Sequence, residues 1–167
     1  MFWERPTDQI SLDEVARRAG VTRQTVIRRF GSKSGLLAAA ASREAERVGR
    51  DRDEAPTGDV VGAVAVLVTH YEEYGDRVLR MLAEETSVPG VRELADAGRA
   101  LHREWCARVF APALVGLRGA ARTRRLAQLV AVCDVSTWKL LRLDCGLSRR
   151  ETERALVELL SPITEGP

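Results

Sequence analysis

Apolar residues recur along this chain at three- and four-residue intervals, and from Asp59 onward no stretch alternates as a half-buried strand would. The fold class this predicts is all-α. Leu12, Val15, Ala16 and Ala19 share one helical face. Ser11 precedes them with Glu14 three residues on, the capping-box pattern of a helix start. Gly20 can take the left-handed backbone that stops the helix, and Thr22 can cap a second helix ending at Phe30. On that second helix Val26 and Phe30 lie on one side, and Gln24, Thr25 and Arg28 on the other. Two short helices about a glycine-containing turn are the signature of a helix-turn-helix.

A third, longer helix follows Lys33, capped by Ser32 or Ser34, with Leu36, Leu37, Ala40, Ala41 and Ala45 on its buried side. The charged stretch 47–59, RVGRDRDEAPTGD, reads as a connection. It predicts a DNA-binding helix-turn-helix domain at 1–50 and a helical bundle for ligand binding and dimerisation at 59–167, with the boundary near Pro56. In the second domain, Val60, Val64, Leu67, Val68 and Tyr71 mark a helix to about Tyr74, broken at Gly75-Asp76. A shorter one runs from Val78 to about Thr86, and another from Val91 to near Pro112. After a break at 115–120, one long helix is expected from about Ala121 to Leu143, and Ser148 with Glu151 opens a last helix to Pro162.

The 121–143 stretch is apolar beyond a single stripe. Leu126, Leu129, Val130, Cys133, Thr137, Leu140 and Leu141 form the expected face, and Val132, Val135 and Trp138 add surface off it. A helix apolar around most of its girth must be buried on two sides. The second side is expected to be a copy of the same chain in a two-fold interface. Leu129, Val132, Val135, Trp138, Leu156, Leu159 and Leu160 are its candidate residues.

Charge changes the picture only at the N-terminal end. The net charge is +2, yet residues 1–50 carry ten Arg/Lys against six Asp/Glu. From Arg17 to Lys33 there are six basic residues and no acidic one. Arg and Gln on an exposed helix face can hydrogen-bond base edges in a major groove, and a Thr methyl can meet a thymine methyl. Cys106, Cys133 and Cys145 are widely spaced without a CxxC pair, which argues against a disulfide framework or zinc site and for a reducing compartment. The start, MFWERPTDQ, lacks the pattern of a signal peptide, and the longest apolar or glycine run, Val60 to Val68, is nine residues. A cytoplasmic location is expected.

The run VARRAGVTRQTVIRRFGSKSGLL, residues 15–37, resembles the helix-turn-helix of the TetR family of bacterial transcriptional regulators. The match includes Ala16, Gly20, Val21 and Thr25 around the turn, Phe30 closing the second helix, and Ser32, Lys33, Leu36 and Leu37 opening the third. Residues 138–160 are also similar to the family's last two helices, which form its dimer interface. The resemblance implies an all-α homodimer that binds a palindromic operator on double-stranded DNA. It further implies a repressor released by a small-molecule effector in the C-terminal domain, with no cofactor. Carried over by position, Arg23, Gln24, Thr25 and Arg28 face bases, with Thr22 at the start of their helix. Arg29 and Lys33 grip phosphates, and Ser11 adds a phosphate contact. The chain departs from the family pattern in having Ile27 where Tyr is usual and Arg29 where His is common. The family's first helix is also missing: ten residues containing Pro6 supply at most a stub, with Phe2, Trp3 and Ile10 to cover part of the gap.

Candidate ligand-lining residues are His70, Tyr71, Tyr74, Met81, Glu85, His102, Trp105, Cys106 and Phe110, a mostly aromatic set with a few polar groups. Met and aromatic side chains at helical spacing serve equally as core. An enzyme is not expected. His102 and Cys106 stand at i, i+4, but a metal site needs three or four ligands, and a nucleophile needs an orienting partner that the sequence does not supply. The alternative function is a dimeric helical interaction module with impaired or lost DNA binding.

Overall fold

The computed structural model describes residues 9–165, except the side chains of Ala41, Glu44 and Ala45. The expected contributions of Phe2, Trp3, Ala41 and Ala45 therefore lie outside the described residues. Eight α-helices follow in order among the described residues: α1 (Leu12–Arg18), α2 (Arg23–Phe30), α3 (Lys33–Asp53), α4 (Val60–Ala83), α5 (Val91–Val109), α6 (Gly119–Val132), α7 (Val135–Lys139) and α8 (Arg149–Thr164). A 3₁₀ turn at Ala111–Leu114 precedes α6, and a π turn at Leu140–Asp144 follows α7. The described residues contain no strand, so the chain is all-α as its periodicity predicts.

Compactness divides the chain otherwise than into 1–50 and 59–167. One unit comprises Met1–Arg47 and Arg77–Gly98, the other Val48–Asp76 and Arg99–Pro167. Each division falls inside a helix (α3, α4 or α5) rather than in the 47–59 stretch, most of which continues α3 to Asp53. In the first unit α1 packs on α2, and Gly90 comes close enough to α3 that a Cβ would lie 3.3 Å from Ser34 Cβ. Gly90 also has φ +87, so this turn suits glycine twice over.

Two expected helices are drawn differently. No break occurs at Gly75-Asp76, and α4 runs through both residues. A mid-helix glycine costs about 1 kcal/mol relative to Ala but does not end a helix. Here it is a packing position, because a Cβ on Gly75 would stand 2.5 Å from the Trp138 ring. The single helix expected from 121 to 143 is interrupted instead. It stops at Val132, and Asp134 caps a new start, its Oδ1 accepting from Ser136 N at 2.8 Å. The carbonyls released by the break find donors: Thr137 Oγ1 bonds Ala131 O at 2.6 Å, and Tyr71 OH bonds Cys133 O at 2.9 Å. The last helix opens on Ser148 with Glu151 as a complete capping box, and continues two residues past Pro162.

Candidate nucleic-acid interface and the helical interior

The helix-turn-helix is built from its caps inward. Ser11 Oγ accepts from Glu14 N at 3.1 Å, Thr22 Oγ1 from Thr25 N at 3.1 Å, and Ser32 Oγ from Gly35 N at 3.0 Å, so each of the first three helices starts on its own hydroxyl. Gly20, at φ +65, turns the chain between α1 and α2. Gly35 lies against the Phe30 carbonyl so closely that a Cβ would reach 2.0 Å from that oxygen, which fixes how α3 leaves α2. Ala16, Val26 and Leu36 bury against one another, with Leu12, Val15 and Phe30 packed around them. The third element that the two-helix turn requires is thus the start of α3, and Ile10, 1% exposed, is buried as expected.

With Val26 turned inward, α2 presents Arg23, Gln24, Arg28 and Arg29 to solvent. Thr22, Gln24, Thr25 and Arg28 line a single surface concavity. Thr22 and Thr25 share a hydroxyl hydrogen bond of 2.9 Å, which commits both side chains at the start of the helix. Arg23 meets Asp13 at 3.8 Å, an exposed pair of the kind worth well under about 1 kcal/mol and easily exchanged for a phosphate. Arg29 lies over the Phe30 ring, 5.6 Å from its centroid. Lys33 is half-buried at the start of α3, Ser11 is exposed, and Ile27 is an exposed apolar side chain on α2. The eight expected DNA-facing residues lie on α2, at the caps of α1 and α2, and at the start of α3. A helix start carrying Arg and Gln beside further positive charge can meet both base edges and phosphates.

The expected ligand-lining residues do not all come together. Met81 and Glu85 belong to the first unit, where Glu85 pairs with Arg92 at 3.7 Å. His70, Tyr71, Tyr74, His102, Trp105, Cys106 and Phe110 are buried in the second. There the His70 ring stands 5.1 Å from Tyr74 and 5.5 Å from Tyr71, and Trp105 meets Phe110 edge-on at 6.0 Å. His102 and Cys106 do share a face, with Nε2 and Sγ 3.8 Å apart.

At the centre of this cluster is Arg52, a residue of the charged stretch 47–59 expected to be a connection. It is 7% exposed, and its guanidinium lies over the rings of Tyr71 at 5.2 Å and Trp105 at 5.3 Å. Its Nη1 donates to His102 Nδ1 at 3.1 Å, and its carbonyl accepts from Trp105 Nε1 at 3.0 Å. The available signal was spacing: Val48, Arg52 and Ala55 follow at i, i+4 and i+7, which puts Arg52 on the inward face. The Tyr71 hydroxyl is pushed well above the ordinary phenol range by burial, with Arg52 opposing. The Cys133 thiol hydrogen-bonds to Cys106 and lowers the Cys106 pKa to about 6 against the cost of burial, with His102 and Arg52 assisting. Cys133, the donor of that bond and itself buried, is raised.

The expected dimer residues are mostly core. Leu129, Val135, Trp138, Leu156 and Leu160 are buried within the chain, Val132 is half-buried, and of the seven only Leu159 is exposed. The interruption at Cys133-Asp134 is the reason: it re-phases the residues after it, so Val135 and Trp138 turn into the same core as Leu129. Leu140 and Leu143 on the π turn, which packs on α8, are the exposed apolar side chains instead.

Among the described residues no helix is long and apolar enough to cross a membrane. No curated protein and no solved structure matches the chain. Residues 1–40 match the family model described as "Bacterial regulatory proteins, tetR family", a span that takes in α1, α2 and the first turns of α3. With its capped helix pair, basic outer face and buried apolar back, the N-terminal end of this chain is similar to the helix-turn-helix of the tetR family of bacterial regulatory proteins.

Proposed function

We propose that the protein is a repressor that binds a palindromic operator as a homodimer, with α2 in the major groove, and is released by a small molecule bound in the unit formed by residues 48–76 and 99–167. The observation that carries this reading is the outer face of α2, where Thr22, Gln24, Thr25 and Arg28 surround one concavity while Val26 anchors the opposite side. Arg28 and Gln24 serve base edges, and Arg29 and Lys33 serve phosphates. The exposed Leu140, Leu143 and Leu159 support a self-association surface on the π turn and α8. Two copies would then present two reading heads to half-sites about 34 Å apart, one helical turn of DNA.

A gel shift on the DNA upstream of the gene, repeated across salt concentrations, tests the proposal. Binding should weaken steeply with salt and fall sharply in an Arg28→Ala, Lys33→Ala double variant. Unchanged binding in that variant would refute the placement of α2. If the protein in its native length bound no duplex, the interaction-module reading would replace it. Sedimentation that finds only the 18.4 kDa species at micromolar concentration would remove the dimer.

A further inference from the structure

We propose that Arg52 anchors an anionic ligand, a carboxylic acid with an apolar body, in the interior of the unit formed by residues 48–76 and 99–167. The proposal names the ligand class for the effector reading above, and rests on that reading only for the consequence on DNA.

A guanidinium keeps its proton at any pH a protein survives, so burial cannot neutralise Arg52 as it can a lysine. A buried cation therefore requires an anion or pays a large desolvation penalty. The surroundings of Arg52 are otherwise satisfied without one. His102 accepts the Nη1 bond through Nδ1, which makes it the neutral tautomer with its proton on Nε2, facing Val130 O at 3.3 Å. Asp53, the next residue, pairs with Arg108 at 2.8 Å, and Asp134 is occupied in capping α7. Among the described residues no carboxylate meets Arg52, and its Nε is shielded from solvent without a hydrogen-bond partner. Cys106 is the ionisable neighbour, but a single thiolate sulfur cannot match the two parallel donors of the guanidinium edge.

The geometry selects the ligand. Tyr71 and Trp105 cover the guanidinium and His102 takes Nη1, which leaves Nε as the buried donor without a partner. Two oxygens in one plane can meet Nε and an adjoining guanidinium nitrogen as a fork, which favours a carboxylate over a spherical anion. Tyr71 and Trp105, which flank the guanidinium, meet the rings of His70 and Phe110 in turn, so apolar and aromatic surface is at hand for the remainder of the molecule.

The test uses the full chain, with sodium benzoate and sodium octanoate as probes and benzamide and octanamide as uncharged matches, followed by calorimetric titration and thermal unfolding. The carboxylates should bind and raise the unfolding midpoint with concentration, and the amides should not. Arg52→Gln should lose about tenfold or more in carboxylate affinity, the worth of a charge-assisted pair, and Arg52→Lys should lose most of it because a point charge lacks the fork. If neither carboxylate binds, if the amides stabilise equally, or if Arg52→Gln binds as the parent does, the proposal is wrong. The carboxylate-against-amide comparison needs no variant, so misfolding of Arg52→Gln would not shelter it. Carboxylate binding that leaves operator affinity unchanged would uphold the site and overturn effector release instead.

Discussion

Gly75→Ala isolates the contact that carries α4 through its expected break. In an open helix interior the change would stabilise by about 1 kcal/mol, the difference in helix propensity. At Gly75 the new methyl would stand 2.5, 2.8 and 3.1 Å from three ring carbons of Trp138. Ordinary carbon contact is about 3.5–4.0 Å, so two of these would be violated by nearly an ångström. Trp138 has little room to yield, since it is 3% exposed and its ring meets Tyr71 at 5.8 Å, itself tied to Cys133 O. Overpacking of this kind costs about 1–3 kcal/mol, which offsets the propensity gain and leaves a net destabilisation of about 1 kcal/mol. Gly98→Ala is the matched control, because a Cβ there would meet nothing within 4 Å in the interior of α5. Urea unfolding of the two variants should therefore move in opposite directions, Gly98→Ala up and Gly75→Ala down. Adding Trp138→Phe, which removes the offending part of the ring, should abolish the penalty of Gly75→Ala in a double-mutant cycle. A Gly75→Ala protein stabilised as much as Gly98→Ala would show that the approach of α4 to Trp138 is wrong.

Other consequences follow from the caps, the thiols and the reading helix. Asp134→Ala should cost about 1 kcal/mol in denaturant unfolding and Asp134→Asn much less, because only the first removes the acceptor for Ser136 N; equal losses would mean that the charge, not the cap, matters. Cys106 has its pKa lowered to about 6 from an ordinary 9.0, so the unfolded chain holds its proton more tightly. Stability from this group should be full above about pH 9 and be lost as pH falls through about 6, and Cys106→Ser should flatten that slope. An ultraviolet thiolate titration that finds no group ionising below the ordinary range would refute the assignment. In operator binding, Gln24→Ala should relax sequence preference by about 1–3 kcal/mol at one base position with the salt dependence unchanged. Arg29→Ala should instead weaken all duplexes alike and lower the salt slope by about 0.9; exchanged phenotypes would reverse the two roles.

The N-terminal end was legible because its signals are local. Hydroxyl caps at Ser11 and Thr22 and the glycine at 20 act within three or four residues and occupy in the structure the places their sequence assigns them, and of the two candidates Ser32 and Ser34 it is Ser32 that caps α3. The one-sided charge from Arg17 to Lys33 is equally a property of sequence. The same holds for the capping box at Ser148. Where periodicity alone was the guide, it described helices but not their ends. Gly75 looked like a stop and Asp134 like one polar residue in an apolar run, yet packing against Trp138 carried α4 through the first, and local capping ended α6 at the second.

What the sequence determined by itself, then, was the all-α class and the helix-turn-helix, since both rest on hydrogen bonds and side-chain spacing within a few residues. What only the tertiary structure decided was which apolar side chains are spent inside the chain. Leu129, Val135 and Trp138 could each have faced a partner until a two-residue interruption turned them into one core, and Leu156 and Leu160 are buried on α8; the tertiary structure decided both. It also placed Arg52 between Tyr71 and Trp105, next to residues some fifty positions away along the chain. A charge in a run of charges carries no mark of burial, because burial depends on what other helices bring against it.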